Sequence, residues 1–259
     1  MTKDPTAAIC LIGDELLSGR TRDINTQTIA KFLAQYGIPV REVRIVPDDQ
    51  GRIVEAVNTL RARETYVFTT GGIGPTHDDI TADAIAAALE TGIGEHPEAV
   101  KILEQRYADV DTEFTAARRR MARIPNGATL IDNPVSGAPG FQIENVFTLA
   151  GVPKIVEGML QDIGHRLTTG RRVLAVTVQA ANLREGDLAE RLATIATEYD
   201  DVNIGSYPWF RTITDHGVAL VAQGRDQARL NEIAVLLEDL VREQGGVPNR
   251  IEGAEGNAS

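Results

Sequence analysis

Residues 66–81 read Tyr66-Val67-Phe68-Thr69-Thr70-Gly71-Gly72-Ile73-Gly74-Pro75-Thr76-His77-Asp78-Asp79-Ile80-Thr81, a strand, a glycine-rich turn and the start of a helix in direct succession. Tyr66 to Thr70 joins aromatic and β-branched residues, the composition of a strand. Three glycines within four positions then let the chain turn sharply and approach a ligand without Cβ obstruction. Thr81 is the expected cap of a helix that carries Ala84, Ile85, Ala88 and Leu89 on one face.

Working outward, the same alternation recurs. Ala7 to Ile12 is a short apolar run ended by Gly13, the pattern of a buried strand. Ile29, Phe32, Leu33 and Tyr36 recur at helical spacing, and Gly37 supplies the stop. Val40 to Val46 alternates as a strand ended by Pro47, and Asp48 and Asp49 stand ready to cap a helix striped by Ile53, Val57 and Leu60. This βαβαβα order with short connections predicts an α/β fold, a mostly parallel sheet covered by helices on both faces. Pro97 opens a further helix, Thr112 to Arg123 reads as another, Ala128 to Ala150 as short strands joined by turns, and Lys154 to Leu167 as a closing helix.

The polar segment Gly164 to Arg172 carries two glycines and no periodicity, and marks a boundary. Domains are expected at 1–167 and 172–251, with 252–259 a frayed tail. In the second domain Leu174, Val176 and Val178 alternate, Leu188, Leu192, Ile195 and Tyr199 form a helical stripe, Val202 to Tyr207 and Val218 to Ala222 read as strands, and Leu230, Ile233, Leu237 and Leu240 form a last helix. That βαββα order is a small α+β unit. Trp209 and Phe210 are expected in its core.

Composition narrows the function. The 259 residues carry 26 Lys+Arg against 37 Asp+Glu, a net charge of −11, and 42% are hydrophobic. That is ordinary for a globular protein with a real core. No run approaches the ~18 apolar residues of a membrane span. The acidic balance argues against general nucleic-acid binding, which depends on neutralising phosphates with Lys and Arg. The single cysteine, Cys10, lies in a strand as an inert core thiol, four scattered histidines give no zinc spacing, and no secretory signal is visible, so a cytoplasmic setting is expected.

Ligands of doubly wound sheets bind at the carboxyl ends of the strands, where the strand order reverses. Three segments leave strands there: Gly13 to Gly19, Thr69 to Asp79 and Ala150 to Lys154. Turn amides at Gly71, Gly72 and Gly74, the following helix start and the hydroxyls of Thr70 and Thr76 suit a phosphate. Asp78 and Asp79 would repel that anion unless a cation intervenes. Mg²⁺ takes one or two carboxylates plus substrate phosphates, so Asp79 and, from the neighbouring loop, Asp14 are the candidate metal ligands. The bland alternative is a surface turn whose aspartates complement a helix dipole. Asp78 and Glu15 both qualify as a general base for water, and spacing does not choose between them. His77 is expected to face solvent. Lys154 reads equally as a phosphate partner or an exposed lysine. Of Arg118, Arg119 and Arg120, two are expected on the solvated face of a helix, and one could clamp a second phosphate.

Four segments together, GDELLSG (13–19), GGIGPTHDDIT (71–81), PNGATLIDNPVSGAPG (125–140) and AGVPKIV (150–156), resemble the molybdopterin-binding domain, in its competence/damage-inducible protein A-like branch. IGSYP (204–208) is similar to that branch's smaller second domain. The resemblance implies a MogA/MoaB-like three-layer αβα sandwich. It implies a phosphorylated pterin or an adenine nucleotide as ligand, with Mg²⁺ or another divalent cation, hydrolysis of nucleotide diphosphates such as ADP-ribose, and a homo-oligomer. By position Asp79 and Asp14 match the family's acidic residues, Gly71, Gly72 and Gly74 its phosphate turn, and Gly151 and Pro153 its third ligand-side loop. Ile73 and Asp78 stand where the cofactor-building enzymes carry Thr and Arg, which argues against pterin adenylylation or molybdenum insertion. Longer members of the branch add an amidohydrolase domain, so nicotinamide-nucleotide deamidation is not expected. Against hydrolysis stand two other readings: a molybdopterin-binding protein that breaks no bond, and a structural or regulatory subunit.

Overall fold

The computed structural model describes residues 4–212 and 215–253. The chain divides into two compact units, Met1–Arg171 and Arg172–Ser259. In the first, β1 (Ala7–Ile12) leads through the single turn α1 (Asp14–Leu17) and α2 (Asn25–Gln35) to β2 (Val40–Val46); α3 (Gln50–Arg61), β3 (Tyr66–Thr70) and α4 (Thr81–Ala88) follow. Then come β4 (Ile93–Glu95), α5 (Pro97–Asp109), α6 (Ala116–Arg119), β5 (Arg123–Pro125), β6 (Thr129–Ile131), β7 (Gly140–Ile143), β8 (Val146–Leu149) and α7 (Pro153–Leu160). The main sheet runs β2-β1-β3-β8-β7-β6. The first four strands are parallel and the last two are added antiparallel.

Both faces of this sheet are covered, which explains why β1 is apolar throughout. Ala8, Cys10 and Ile12 join the core under α3, α4 and α5, while Ala7, Ile9 and Leu11 join the core under α2 and α7. A strand buried on both sides has no polar face to display. In the second core Phe68 of β3 stacks on Phe147 of β8, rings 4.9 Å apart and 9° from parallel. Burial pushes the Cys10 thiol up to about 12, only partly opposed by Arg44, as an unreactive core thiol requires.

The second unit orders β9 (Leu174–Ala181), α8 (Glu185–Glu198), β10 (Asn203–Phe210), β11 (His216–Gly224), α9 (Gln227–Glu243) and β12 (Asn249–Glu252). Its antiparallel sheet runs β10-β11-β9-β12, and both helices pack into one core. Among the described residues no helix is long and apolar enough to cross a membrane.

Several expectations need correction. Thr112 to Arg123 is no continuous helix: α6 passes into a 3₁₀ turn at Arg120–Ala122, and Arg123 to Pro125 pair with β4 instead. The closing helix ends at Leu160, with a 3₁₀ turn at Gly164–Arg166. Asp49 caps α3 by accepting from the Arg52 amide at 2.9 Å, whereas Asp48 does not. Thr81 is no cap; its side chain is wholly buried and Ile80 takes the cap position. Phe210 is 76% exposed rather than in the core. Strand β12, at the edge of the small sheet, adds a sixth element to the second unit and overlaps the start of the expected tail; residues 254–259 lie outside the described residues.

Candidate ligand cleft at the strand ends

After β1 the chain goes to one side, to β2, and afterwards to the other, to β3. The carboxyl ends of β1 and β3 therefore flank the point where strand order reverses, where open sheets bind ligands. The loops meet there at backbone distance. Gly71 has φ +100°, and a Cβ on it would stand 2.1 Å from the carbonyl oxygen of Ile12, the last residue of β1 before the first loop. A Cβ on Gly151, in the loop after β8, would stand 3.3 Å from the Cα of Gly71. Glycine is required at Gly71 by both conformation and space.

A residue that motif reading passed over ties these loops together. Asn25, in the first turn of α2 and 7% exposed, donates from Nδ2 to the Gly151 carbonyl at 2.7 Å and to Thr70 Oγ1 at 3.2 Å. Asn133 does the same for the 133–138 loop. Its Oδ1 accepts from the Val135 and Ser136 amides, and its Nδ2 donates to Ser136 Oγ and the Ala138 carbonyl. The only signal in the sequence was polarity next to apolar runs, in α2 and in the Asn-Pro turn.

These loops enclose a cleft of ≈ 540 Å³, within the usual range for small-molecule sites. Gly71, Gly72, Gly74, Asp79, Gly151 and Pro153 line it, together with Glu15, Asn133, Ser136 and the apolar Ile73, Val152 and Ile155. Thr70, Thr76, Asp14, Asp78 and Lys154 do not. Thr70 is buried and spends its hydroxyl on Asn25. Thr76 faces Asp79, donating to Oδ2 from its amide at 2.8 Å and its hydroxyl at 2.5 Å. Among the described residues Asp79 Oδ1 accepts no hydrogen bond. Lys154 is an exposed residue of α7, and the His77 side chain is 99% exposed.

Asp14 belongs to a neighbouring group of carboxylates. Its amide donates to Asp48 Oδ2 at 3.0 Å, and burial raises the Asp48 pKa, with the charges of Asp14, Glu15 and Asp78 raising it further against that one hydrogen bond. Of the acidic residues singled out, the cleft wall thus holds Asp79 and Glu15, while Asp14 and Asp78 stand off it. Among the described residues no three His, Cys, Asp or Glu side chains group as a self-sufficient metal site.

The comparisons agree with this geometry. Residues 8–169 match the family model of the probable molybdopterin-binding domain, and residues 174–250 match that of the FAD synthase middle domain. A CinA-like protein of Citrifermentans bemidjiense is 38% identical over 204 residues, covering 76% of this chain and 49% of that protein. A probable FAD synthase of Caenorhabditis elegans is 30% identical over 239 residues, covering 80% of this chain and 44% of that one. The chain thus spans about half the length or less of these two relatives, but 81% of a protein of Aeropyrum pernix to which it is 33% identical over 216 residues and 80% of its own length. Among solved structures, the protein CinA of Thermoplasma acidophilum, described as of unknown function, superposes with a TM-score of 0.58 at 32% identity over 63% of this chain and 98% of that one. With over half of its length matched by the family model and the cleft at the expected strand ends, the chain belongs to the molybdopterin-binding domain family.

Proposed function

We propose that the cleft binds a phosphorylated small molecule, a nucleotide diphosphate such as ADP-ribose, together with a divalent cation, and hydrolyses the diphosphate. The observation that carries this reading is Asp79. It borders the cleft beside the Gly71–Gly74 turn, with Oδ2 held by two hydrogen bonds from Thr76 and Oδ1 accepting none among the described residues. The match to the family model of a probable molybdopterin-binding domain and the relative named a probable FAD synthase support a nucleotide or pterin as the class of ligand.

The donor set suits Mg²⁺ better than zinc. Asp79 and Glu15 offer hard oxygen donors, and with no third such side chain grouped with them among the described residues the remaining positions would fall to phosphate oxygens and water, as Mg²⁺ usually takes them. Glu15 replaces Asp14 in this role because it lines the cleft. When bound, the cation would supply charge neutralisation at the diphosphate. The chain itself supplies turn amides at Gly72 and Gly74 for one phosphoryl group, a position on the switch point that orients it, and a carboxylate for the proton of the attacking water. Of the two candidate bases Glu15 lines the cleft and exposed Asp78 does not, so Glu15 would take the proton on the oxygen it does not give the cation. A homo-oligomer is proposed as well, on the exposed apolar Val43 and Ile45 of edge strand β2; light scattering on the purified chain tests it.

A second reading has its own support: Ile73, Val152 and Ile155 give the cleft an apolar wall suited to a flat heterocycle, so a pterin could be held without any bond being broken. One assay separates the two. Incubation with ADP-ribose or FAD, with and without Mg²⁺ or Co²⁺, should release AMP in a metal-dependent way, and Asp79→Asn should abolish it while leaving the thermal midpoint within a few degrees. Full activity in that variant overturns the assignment, and tight pterin binding without turnover supports the second reading.

A further inference from the structure

Residues 118–123 hold four arginines, and three are committed elsewhere. Arg118 lies over the Tyr107 ring at 4.7 Å, Arg119 pairs with Glu95 at 2.9 Å and Glu104 at 3.6 Å, and Arg123 forks onto both oxygens of Asp83 at 3.1 and 2.6 Å. Arg120 has no carboxylate partner among the described residues. Its Nη2 donates a long hydrogen bond, 3.5 Å, to the main-chain carbonyl of Asp79, and its Nε is buried without an acceptor. A buried charged donor left unmatched is costly, and native structures commonly meet it with an internal water.

The space for one is present. Arg120, Asp79, Asp83, Gly72 and Gly74 line a small cavity of ≈ 20 Å³ next to the cleft, which shares the Gly72–Gly74 turn and Asp79 with it but not Arg120. One water needs roughly 10–15 Å³ and two or more polar partners; a phosphate would not fit. Asp79 Oδ1 accepts no hydrogen bond among the described residues, and a carboxylate oxygen has lone pairs enough to serve a water and a cation together.

We propose that Arg120 is a positioning residue for the Asp79 turn. It grips the Asp79 carbonyl through Nη2 and, through Nε, one internal water that bridges to the turn, so that the carboxylate is aimed into the cleft from the side away from the ligand. Arginine suits this because Nε and Nη2 lie in one rigid plane and hold two points of the turn at once; lysine offers a single mobile donor. The functional meaning of the device rests on the proposed role of Asp79, but its structure does not.

The test uses the full chain. A high-resolution crystal structure should show one water within hydrogen-bond distance of Arg120 Nε. In Arg120→Ala the hydrogen-bonded backbone amides of Thr76 and Asp79 should exchange about tenfold faster, the loss expected for about one net hydrogen bond, with exchange in β1 and β3 unchanged. Millimolar guanidinium should restore protection in Arg120→Ala, whereas Arg120→Lys, which folds with the charge retained, should stay unprotected. A dry cavity, unchanged exchange in both variants, or guanidinium without effect overturns the proposal. In parallel, ADP-ribose with Mn²⁺ is titrated into the unsubstituted chain and Asp79→Asn. Equal binding by the two sinks the proposed function, while the water density and exchange still decide the role of Arg120.

Discussion

Asn25 gives the sharpest test of how the cleft is held together, because the substitution that keeps its shape should cost more than the one that truncates it. In Asn25→Ala the two hydrogen bonds from Nδ2, at 2.7 and 3.2 Å, are lost. At ~0.5–1.5 kcal/mol each this costs about 1–3 kcal/mol. Alanine also removes Oδ1, which is buried without a partner, and that returns roughly 1 kcal/mol. The net destabilisation should be about 0–2 kcal/mol. Asn25→Asp keeps the shape but turns the donor into a carboxylate oxygen against the Gly151 carbonyl, in a site only 7% exposed. A buried unpaired charge costs about 3 kcal/mol or more.

The aspartate can escape by taking up a proton, so its folded pKa must lie above its unfolded value of ~3.9. The sign follows: the variant approaches the stability of the parent below the unfolded pKa and loses it as pH rises through the folded pKa. Trp209, the single tryptophan, lies in the second unit, so its fluorescence would report the wrong part of the chain. Native-state amide exchange in β1 and β3 is the appropriate readout, since ~1.4 kcal/mol appears there as a tenfold change in opening. At neutral pH the aspartate variant should exchange at least about fivefold faster than the alanine variant, and the gap should close on acidification. An aspartate variant as protected as alanine at neutral pH would refute the reasoning, since the Asn25 amide could then not be a buried strut between the loops.

Other expectations follow from the same geometry. Gly71→Ala should cost more than Gly19→Ala in thermal midpoint: both glycines have positive φ, but a Cβ at Gly71 meets the Ile12 carbonyl at 2.1 Å and one at Gly19 meets nothing within 4 Å. The Gly19 variant should lose only about 1–2 kcal/mol of backbone strain. Asp48→Asn should raise the midpoint at neutral pH, because the folded pKa of Asp48 is raised by burial and by Asp14, Glu15 and Asp78. That penalty is absent below the unfolded pKa and grows as pH rises, so the gain should vanish in acid, and a gain independent of pH would count against it. Cys10, with its thiol pushed up to about 12 in the core, should resist a thiol reagent at about pH 8 until the first unit is unfolded.

Much of the architecture was legible because the chain repeats its signals. An apolar run such as Ala7 to Ile12 has one stable fate, a strand covered on both faces, and Gly13, Gly37 and Pro47 punctuate the elements that follow. Misreadings arose where a distant partner overrode local preference. Arg123 to Pro125 follow a helix-forming stretch, yet their backbone pairs with Ile93 to Glu95. Thr81 has the chemistry of a cap, but the close approach of its amide to the Gly72 carbonyl, 2.9 Å, draws it inward beneath the turn. Phe210 has the composition of core, yet lies at the end of an edge strand, where its ring meets His216 of β11 and stays largely exposed.

The candidate site divides in the same way. Order and spacing of residues along the chain were enough to assign the three loops to one edge of the sheet, since parallel strands with short crossovers deliver their loops to a common side. They were also enough to mark the Gly71–Gly74 turn and Asp79. Which neighbouring carboxylate stands beside Asp79 was beyond their reach. Asp14 and Glu15 are adjacent residues in the single turn of α1, and successive side chains on a helix point about 100° apart. Glu15 borders the cleft and Asp14 does not, a choice made only when α1 docks and its rotation about its own axis is set.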